Sequence, residues 1–173
     1  MFVPNKSVNW ILIAGIVGVV AIASFWLFKC KFCRGPKIER TLAIIKPDAV
    51  AAGNSGKIID KIEQSGFKIV GMKKIDLTKE KAEVFYAVHK EKPFFNDLVQ
   101  FMISGSVVVL ILEKESAIQA WRDLMGATDP QKADNESLRK TFGTDLTKNA
   151  VHGSDSEESA KIEITKMFPD LMQ

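Results

Sequence analysis

Val107 to Leu112 is an unbroken run of six apolar residues, most of them β-branched, held between Gly105-Ser106 and Glu113-Lys114. Alternation with polar residues, which would mark a half-solvated strand, is missing, so the run reads as the most buried strand of a sheet that the rest of the chain must supply. Leu42-Ala43-Ile44-Ile45 reads as a second central strand, stopped by Lys46-Pro47-Asp48 because proline has no N–H to give to a ladder. Phe67, Ile69 and Gly71 alternate with Lys68, Val70 and Met72 on the way to Ile75-Asp76, a third strand, and Ala150-Val151-His152 forms a short extended fourth.

Between these segments the apolar period changes to that of a helix. Ile58, Ile59 and Ile62 follow Gly53-Asn54-Ser55-Gly56 and are closed by Gly66. Thr78 caps a helix beginning at Lys79-Glu80-Lys81, and Pro93 restarts the chain into Phe94 to Met102, with Phe95, Leu98, Val99 and Met102 on one face. Ala117, Ile118, Trp121, Leu124 and Met125 share another helical face, ended by Gly126. Residues 127–137, with Asp129-Pro130, Asp134 and Asn135, read as a long exposed loop. Asp155 and Glu158 form a capping-box-like pair ahead of a last helix holding Ala160, Ile164 and Met167 or Phe168. The order predicts an α+β domain: a βαββαβ sheet covered by helices on one face.

The N-terminal 37 residues have a different composition. Val8 to Phe28 is 21 residues without a charge, enough at 1.5 Å per helical residue to cross a bilayer core, with Trp10 and Trp26 near its ends. Lys6 alone precedes it, whereas Lys29, Lys31, Arg34 and Lys37 follow, which directs the domain beyond it to the cytoplasmic side. The stretch is longer than a usual signal-peptide core and lacks a small-residue cleavage site, so an uncleaved anchor (1–37) before one domain (38–173) is expected. If the segment is absent from the mature protein, the alternative is a cytoplasmic soluble enzyme. Cys30 and Cys33 read as membrane-proximal thiols outside any strand-helix redox framework. Residues 38–173 carry 19 basic and 21 acidic side chains, so the positive charge belongs to the anchor and no nucleic-acid footprint is implied.

His89 and His152 are the only histidines, and neither has the cysteine or histidine neighbours of a zinc site. His152 is the better placed for chemistry. Gly153 permits close backbone approach, Ser154 and Glu163 are potential hydrogen-bonding partners, and a neutral imidazole is a competent nucleophile near pH 7. Lys46, Arg122, Arg139 and Lys148 each stand beside a turn or an element end. Singly each reads as solvated charge; converging, they would grip a phosphate chain. No G-x-x-x-x-G-K-[ST] exists, and Gly53-Asn54-Ser55-Gly56-Lys57 is too compressed to be one, so phosphates would have to be held by side chains.

From Glu39 to about Phe168 the chain closely resembles nucleoside diphosphate kinases. The likeness is carried by the string Glu39 to Val50 (ERTLAIIKPDAV), by Lys92-Pro93-Phe94-Phe95, by Leu124-Met125-Gly126-Ala127-Thr128 and, with the greatest specificity, by Asn149 to Ser156 (NAVHGSDS). The resemblance implies a ferredoxin-like fold with a four-stranded antiparallel sheet, and exchange of the terminal phosphoryl group between nucleoside triphosphates and diphosphates, with magnesium (Mg2+) on the nucleotide. It implies His152 as the nucleophile that becomes phosphohistidine in a ping-pong cycle, Glu163 orienting the ring and Ser154 supporting it. Lys46, Tyr86, Arg122, Thr128 and Arg139 match phosphate-contacting positions, Phe94 the base-stacking position, and Asn149 with Lys46 the pair that reads the sugar hydroxyl. His89 matches no catalytic position. A homo-oligomer, tetramer or hexamer built from dimers, is implied as well.

The chain departs from the family pattern at Ser106, where proline is common, at Lys148, where arginine often stands, and at Asn135-Glu136-Ser137 in the loop. The largest departure is the anchor, which opens a competing class of reading: a non-catalytic membrane-linked scaffold that keeps the fold.

Overall fold

A computed structural model describes residues 37–172. It places β1 at Ile38–Ile45, β2 at Lys68–Asp76, β3 at Ser106–Glu115 and β4 at Val151–Gly153. They form one sheet in the order β2-β3-β1-β4, every neighbour antiparallel. The two unbroken apolar runs are thus its inner strands, paired from Ile38 opposite Glu115 to Ile45 opposite Val108. The short β4 lies against β1, with Ala43 opposite Gly153, Ile44 opposite His152 and Ile45 opposite Val151. His152 is therefore carried by the sheet.

The helices are α1 (Pro47–Ala51), α2 (Ser55–Gln64), α3 (Lys79–Phe85), α4 (Phe95–Met102), α5 (Ala117–Met125), α6 (Leu138–Phe142) and α7 (Glu157–Met167), with 3₁₀ turns at Ala87–His89 and Pro169–Met172. They cover both faces of the sheet, which corrects the expectation of one. Ala43, Ile45, Val108, Leu110 and Leu112 pack with Ile58 and Ile62 of α2 and Trp121 and Met125 of α5. Leu42, Ile44, Val107, Val109 and Ile111 pack on the opposite face with Phe85 of α3, Met102 of α4, and Ile164 and Met167 of α7. The reason is in the runs themselves: successive side chains of a strand point to opposite faces, so an unbroken apolar strand needs cover on both. Each aliphatic side chain fully buried this way contributes about 1.5–3 kcal/mol relative to exposure.

Local signals mostly behave as their chemistry dictates. Gly66 ends α2 at φ 78°, and the Thr78 hydroxyl accepts the Lys81 N–H at 3.3 Å at the start of α3. Three expectations change. The cap of α7 is Ser156, whose extended backbone lets its hydroxyl accept the Ser159 N–H at 3.1 Å, while Asp155 accepts the Ser159 hydroxyl. Residues 127–137 are not simply an exposed loop: Ala133 and Ser137 are buried, and Ser137 caps α6 by accepting the Lys140 N–H at 3.3 Å. Ala150 is not extended but sits at φ 65°. Ser106, one of the chain's departures from the family pattern, donates its hydroxyl to Asp76 at 2.6 Å and ties together the paired ends of β2 and β3.

The expected span at residues 8–28 and the Cys30/Cys33 pair lie outside the described residues. Among the described residues no helix is long and apolar enough to cross a membrane.

Candidate active site

β4 and α7 together set up a histidine with one nitrogen occupied. His152 Nε2 lies 3.1 Å from Glu163 Oε2, and the Ser154 hydroxyl donates to the same carboxylate oxygen at 2.8 Å. Ser154 is itself buried, its Oγ accepting the Leu42 N–H of β1 at 3.2 Å, so the carboxylate is anchored through the sheet. The imidazole stands edge-on to Phe85 and Tyr86, with ring centroids 5.3 and 5.9 Å away. With Nε2–H given to Glu163, the ring's lone pair resides on Nδ1.

Tyr86 is buried, and its hydroxyl has no hydrogen-bond partner among the described residues. Burial first, then the Glu163 charge, push its ionisation far above the ordinary phenol range, so it stays a neutral O–H with a proton to offer.

A second group surrounds Lys46 at the end of β1. Its ammonium donates to Asn149 Oδ1 at 2.6 Å and to Thr147 O at 3.2 Å. The Asn149 amide spends its N–H groups on Thr128 O at 3.0 Å and Leu146 O at 3.1 Å, which fixes its oxygen toward the lysine. Burial, with Arg139 next, lowers Lys46 from 10.5 to about 8, against the raising effect of Asp48 and Asp145. Arg139, from α6, donates through its two terminal nitrogens to Gly126 O at 2.9 Å and Val151 O at 3.2 Å, while its buried Nε has no partner among the described residues. Burial and the neighbouring Arg122 lower it to about 10, which leaves it charged at neutral pH.

Neither Lys46 nor Arg139 belongs to an ion pair among the described residues. Asp48 and Asp145 act on Lys46 only without direct contact, and two largely buried cations held without a contact ion pair are costly, a cost offset when an anion binds. The cluster lies beside the approach to His152, since Asn149 and Val151 belong to the same short segment.

The sequence model of the nucleoside diphosphate kinase family matches residues 39–172, nearly all of the described chain. The chain belongs to this family. Among its relatives is the nucleoside diphosphate kinase of Geotalea uraniireducens, 63% identical over 134 residues, 78% of this chain and 98% of the relative. That of Campylobacter jejuni is 60% identical over 131 residues, 76% of this chain and 96% of the relative. Of solved structures, the Aquifex aeolicus nucleoside diphosphate kinase superposes with a TM-score of 0.76 at 50% identity, covering 78% of this chain and 98% of that one. The Halobacterium salinarum nucleoside diphosphate kinase, solved in complex with CDP, gives 0.75 at 41% identity, covering 78% and 90%.

The positions expected from the nucleoside diphosphate kinase likeness divide into groups. His152, Glu163, Ser154 and Tyr86 form one cluster, and Lys46, Asn149, the Thr128 carbonyl and Arg139 form the other. Arg122 is exposed and acts on Arg139 and Asp155 electrostatically. Phe94 is 49% exposed and its ring lies against His89, 5.8 Å between centroids, so His89 has a contact at this edge that the sequence did not suggest. Lys148 joins neither cluster; its side chain is exposed and lines a groove of about 480 Å³ with Lys74 and Ser104.

Trp121 was legible only as an apolar helix position, and nothing in the sequence singled out Phe85. In the fold, Trp121 Nε1 donates to His152 O at 3.2 Å, and Phe85 packs against the imidazole.

Proposed function

We propose that this chain transfers the terminal phosphoryl group of a nucleoside triphosphate to a nucleoside diphosphate through phosphohistidine at His152. One observation carries the reading: an imidazole with Nε2 engaged by an anchored carboxylate, near a buried lysine and a half-buried arginine that make no contact ion pair. The Nδ1 lone pair attacks the γ-phosphorus, the bond from phosphorus to the bridging oxygen breaks, and the electron pair leaves with the nucleoside diphosphate. Glu163 holds the Nε2 proton as the ring becomes cationic, and Ser154 keeps the carboxylate in place. A second diphosphate then takes the phosphoryl group from Nδ1 by the reverse route.

Lys46, Arg139 and Arg122 neutralise charge on the transferring group, where positioning and electrostatics supply most of the rate. Tyr86 and Thr128 are phosphate contacts in this reading, Phe94 a stacking platform for the base, and Asn149 with Lys46 the sugar contact. Among the described residues no group of three or more histidine, cysteine or acidic side chains could hold a metal. The donors at the site instead suit an anion, so Mg2+ would be held by phosphate oxygens and water, where it neutralises further oxygen charge. Initial velocities with ATP and GDP varied together should give parallel double-reciprocal lines, whereas intersecting lines would rule out the covalent cycle.

Glu163→Gln should lower kcat about a hundredfold, because ring orientation and Nε2 proton affinity both suffer, while nucleotide KM changes little. Single-turnover phosphorylation checks this; an unchanged rate contradicts the role. The lowered Lys46 gives a pH prediction. Above about pH 8 the free site loses this charge, and bound phosphate favours the charged form, so binding takes up a proton and affinity falls as pH rises. Calorimetry of GDP binding at alkaline pH, in buffers of different ionisation enthalpy, should detect uptake that Lys46→Met abolishes.

The reading extends to the whole chain. Residues 8–28 anchor it in a membrane, the domain from residue 38 faces the cytoplasm, and the enzyme works as a homo-oligomer built from dimers. Support comes from the uncharged 21-residue run with its following basic cluster and from the outer edge of β2, the longer of the sheet's two edge strands and a surface open to pairing. Full-length protein should resist extraction by salt and alkaline carbonate and yield to detergent; release by salt alone would remove the anchor from the account.

A further inference from the structure

Asp48 follows Lys46-Pro47 at the end of β1, and its side chain reaches the segment that delivers the nucleophile. Its Oδ2 accepts the Ala150 N–H at 3.0 Å, and Ala150 O accepts the Lys46 backbone N–H at 2.8 Å. The residues on either side of Pro47 therefore hold both sides of Ala150. That residue has φ 65°, and the Val151 N–H donates to Asn149 O at 2.7 Å across it, a γ-turn with the positive central φ that a side-chain-bearing residue disfavours. Such a conformation costs about 1–3 kcal/mol and persists only where its surroundings enforce it. The turn joins Asn149, which accepts from Lys46 Nζ, to β4, where His152 follows two residues later.

The other oxygen of Asp48 is buried with no hydrogen-bond partner among the described residues. A neutral amide could also accept the Ala150 N–H, and what the carboxylate adds is charge, which acts on Lys46.

We propose that Asp48 is a positioning residue of the phosphoryl-transfer site, locking the strained turn at Ala150 through which Asn149 and His152 are aimed. This rests on reading His152 as the nucleophile. The carboxylate also faces Lys46 along with Asp145, against Arg139, so it helps keep the lysine charged. The two contributions separate by substitution. Asp48→Asn keeps an acceptor for the Ala150 N–H and removes the charge, whereas Asp48→Ala removes both.

The experiment is steady-state kinetics of ATP-to-GDP transfer across pH for the full chain and both variants. Asp48→Ala should lower kcat about tenfold to a hundredfold at pH 7, the loss expected from a small misplacement of reacting groups. Asp48→Asn should recover to within about threefold of wild type at pH 7, while the alkaline limb of its kcat/KM begins at lower pH, because Lys46 has lost a neighbouring negative charge. Should the alanine variant not fold, kcat of the asparagine variant at pH 7 decides: a value within about threefold of wild type, with the acceptor kept and the charge gone, supports the positioning role, and a loss of about tenfold or more overturns it. Wild-type kcat in Asp48→Ala, or equal impairment in both variants with an unmoved alkaline limb, overturns the positioning role and leaves the phosphohistidine reading standing. An inactive wild type would overturn that reading, and this inference with it.

Discussion

Replacing His152 by alanine removes turnover, lowering kcat by about 10⁴-fold or more, while GDP still binds within about threefold of its wild-type affinity. The asymmetry follows from where the interactions lie. Lys46, Asn149 and Arg139 are held by bonds that do not pass through the imidazole: Thr147 O, Thr128 O, Leu146 O and Gly126 O. Removing the ring therefore leaves the anion site intact and deletes the proposed carrier of the phosphoryl group between two nucleotides. Rapid-quench measurement of transfer, paired with calorimetry of GDP binding, checks both halves. Loss of binding together with turnover would mean that the imidazole holds the site together.

The second large effect is on stability. Gly153→Ala should cost about 3 kcal/mol, toward the upper end of overpacking penalties, because the added methyl has nowhere to go. A Cβ there would stand 2.3 Å from both Cδ1 and Nε1 of Trp121 and 2.8 Å from Cε of Met125. Trp121 is fully buried against the sheet and donates to His152 O, so it cannot yield without moving the residue beside the substitution. The melting temperature of the domain should fall by about 10 °C, and kcat should fall with it even well below the transition, since the tryptophan that retreats is the one bonded to the His152 carbonyl. Thermal unfolding, with activity measured at a temperature where the variant is folded, tests the pair. A variant of wild-type stability would show that the close packing at Gly153 is not rigid.

Much of this fold is readable from residue pattern, for reasons that particular segments make plain. Val107 to Leu112 and Leu42 to Ile45 had one reading because unbroken β-branched and aliphatic runs have few other stable states, and both became inner strands. Thr78 and Gly66 did what a hydroxyl cap and a residue free at positive φ do. The cover on the second face was missed because α4 and α7 show their apolar faces without saying which side of the sheet receives them. The turn at Ala150 was missed because it depends on backbone angles held by distant partners, Asp48 and Lys46, and the cap at Ser156 because Asp155 beside it offers the same capping chemistry.

The site follows the same division. The family likeness picks out His152, Glu163, Ser154, Lys46 and Asn149 by position, and the fold adds the bonds that give them direction. Trp121 and Asp48 lie beyond such reading, since one looks like any apolar helix residue and the other like the end of a strand. The proline-to-serine departure at Ser106 is matched by a hydrogen bond to Asp76 across the strand pair.

The central claim is that a phosphoryl group rests covalently on His152 between two nucleotides. The direct measurement is incubation of the purified protein with γ-labelled ATP, recovery of labelled protein, and a chase with unlabelled GDP. The account predicts an acid-labile, alkali-stable phosphoprotein, label passing to GTP in the chase, and no label on His152→Ala. A folded, nucleotide-binding wild type that takes up no label, or a His152→Ala variant that takes it up and passes it on, would contradict it.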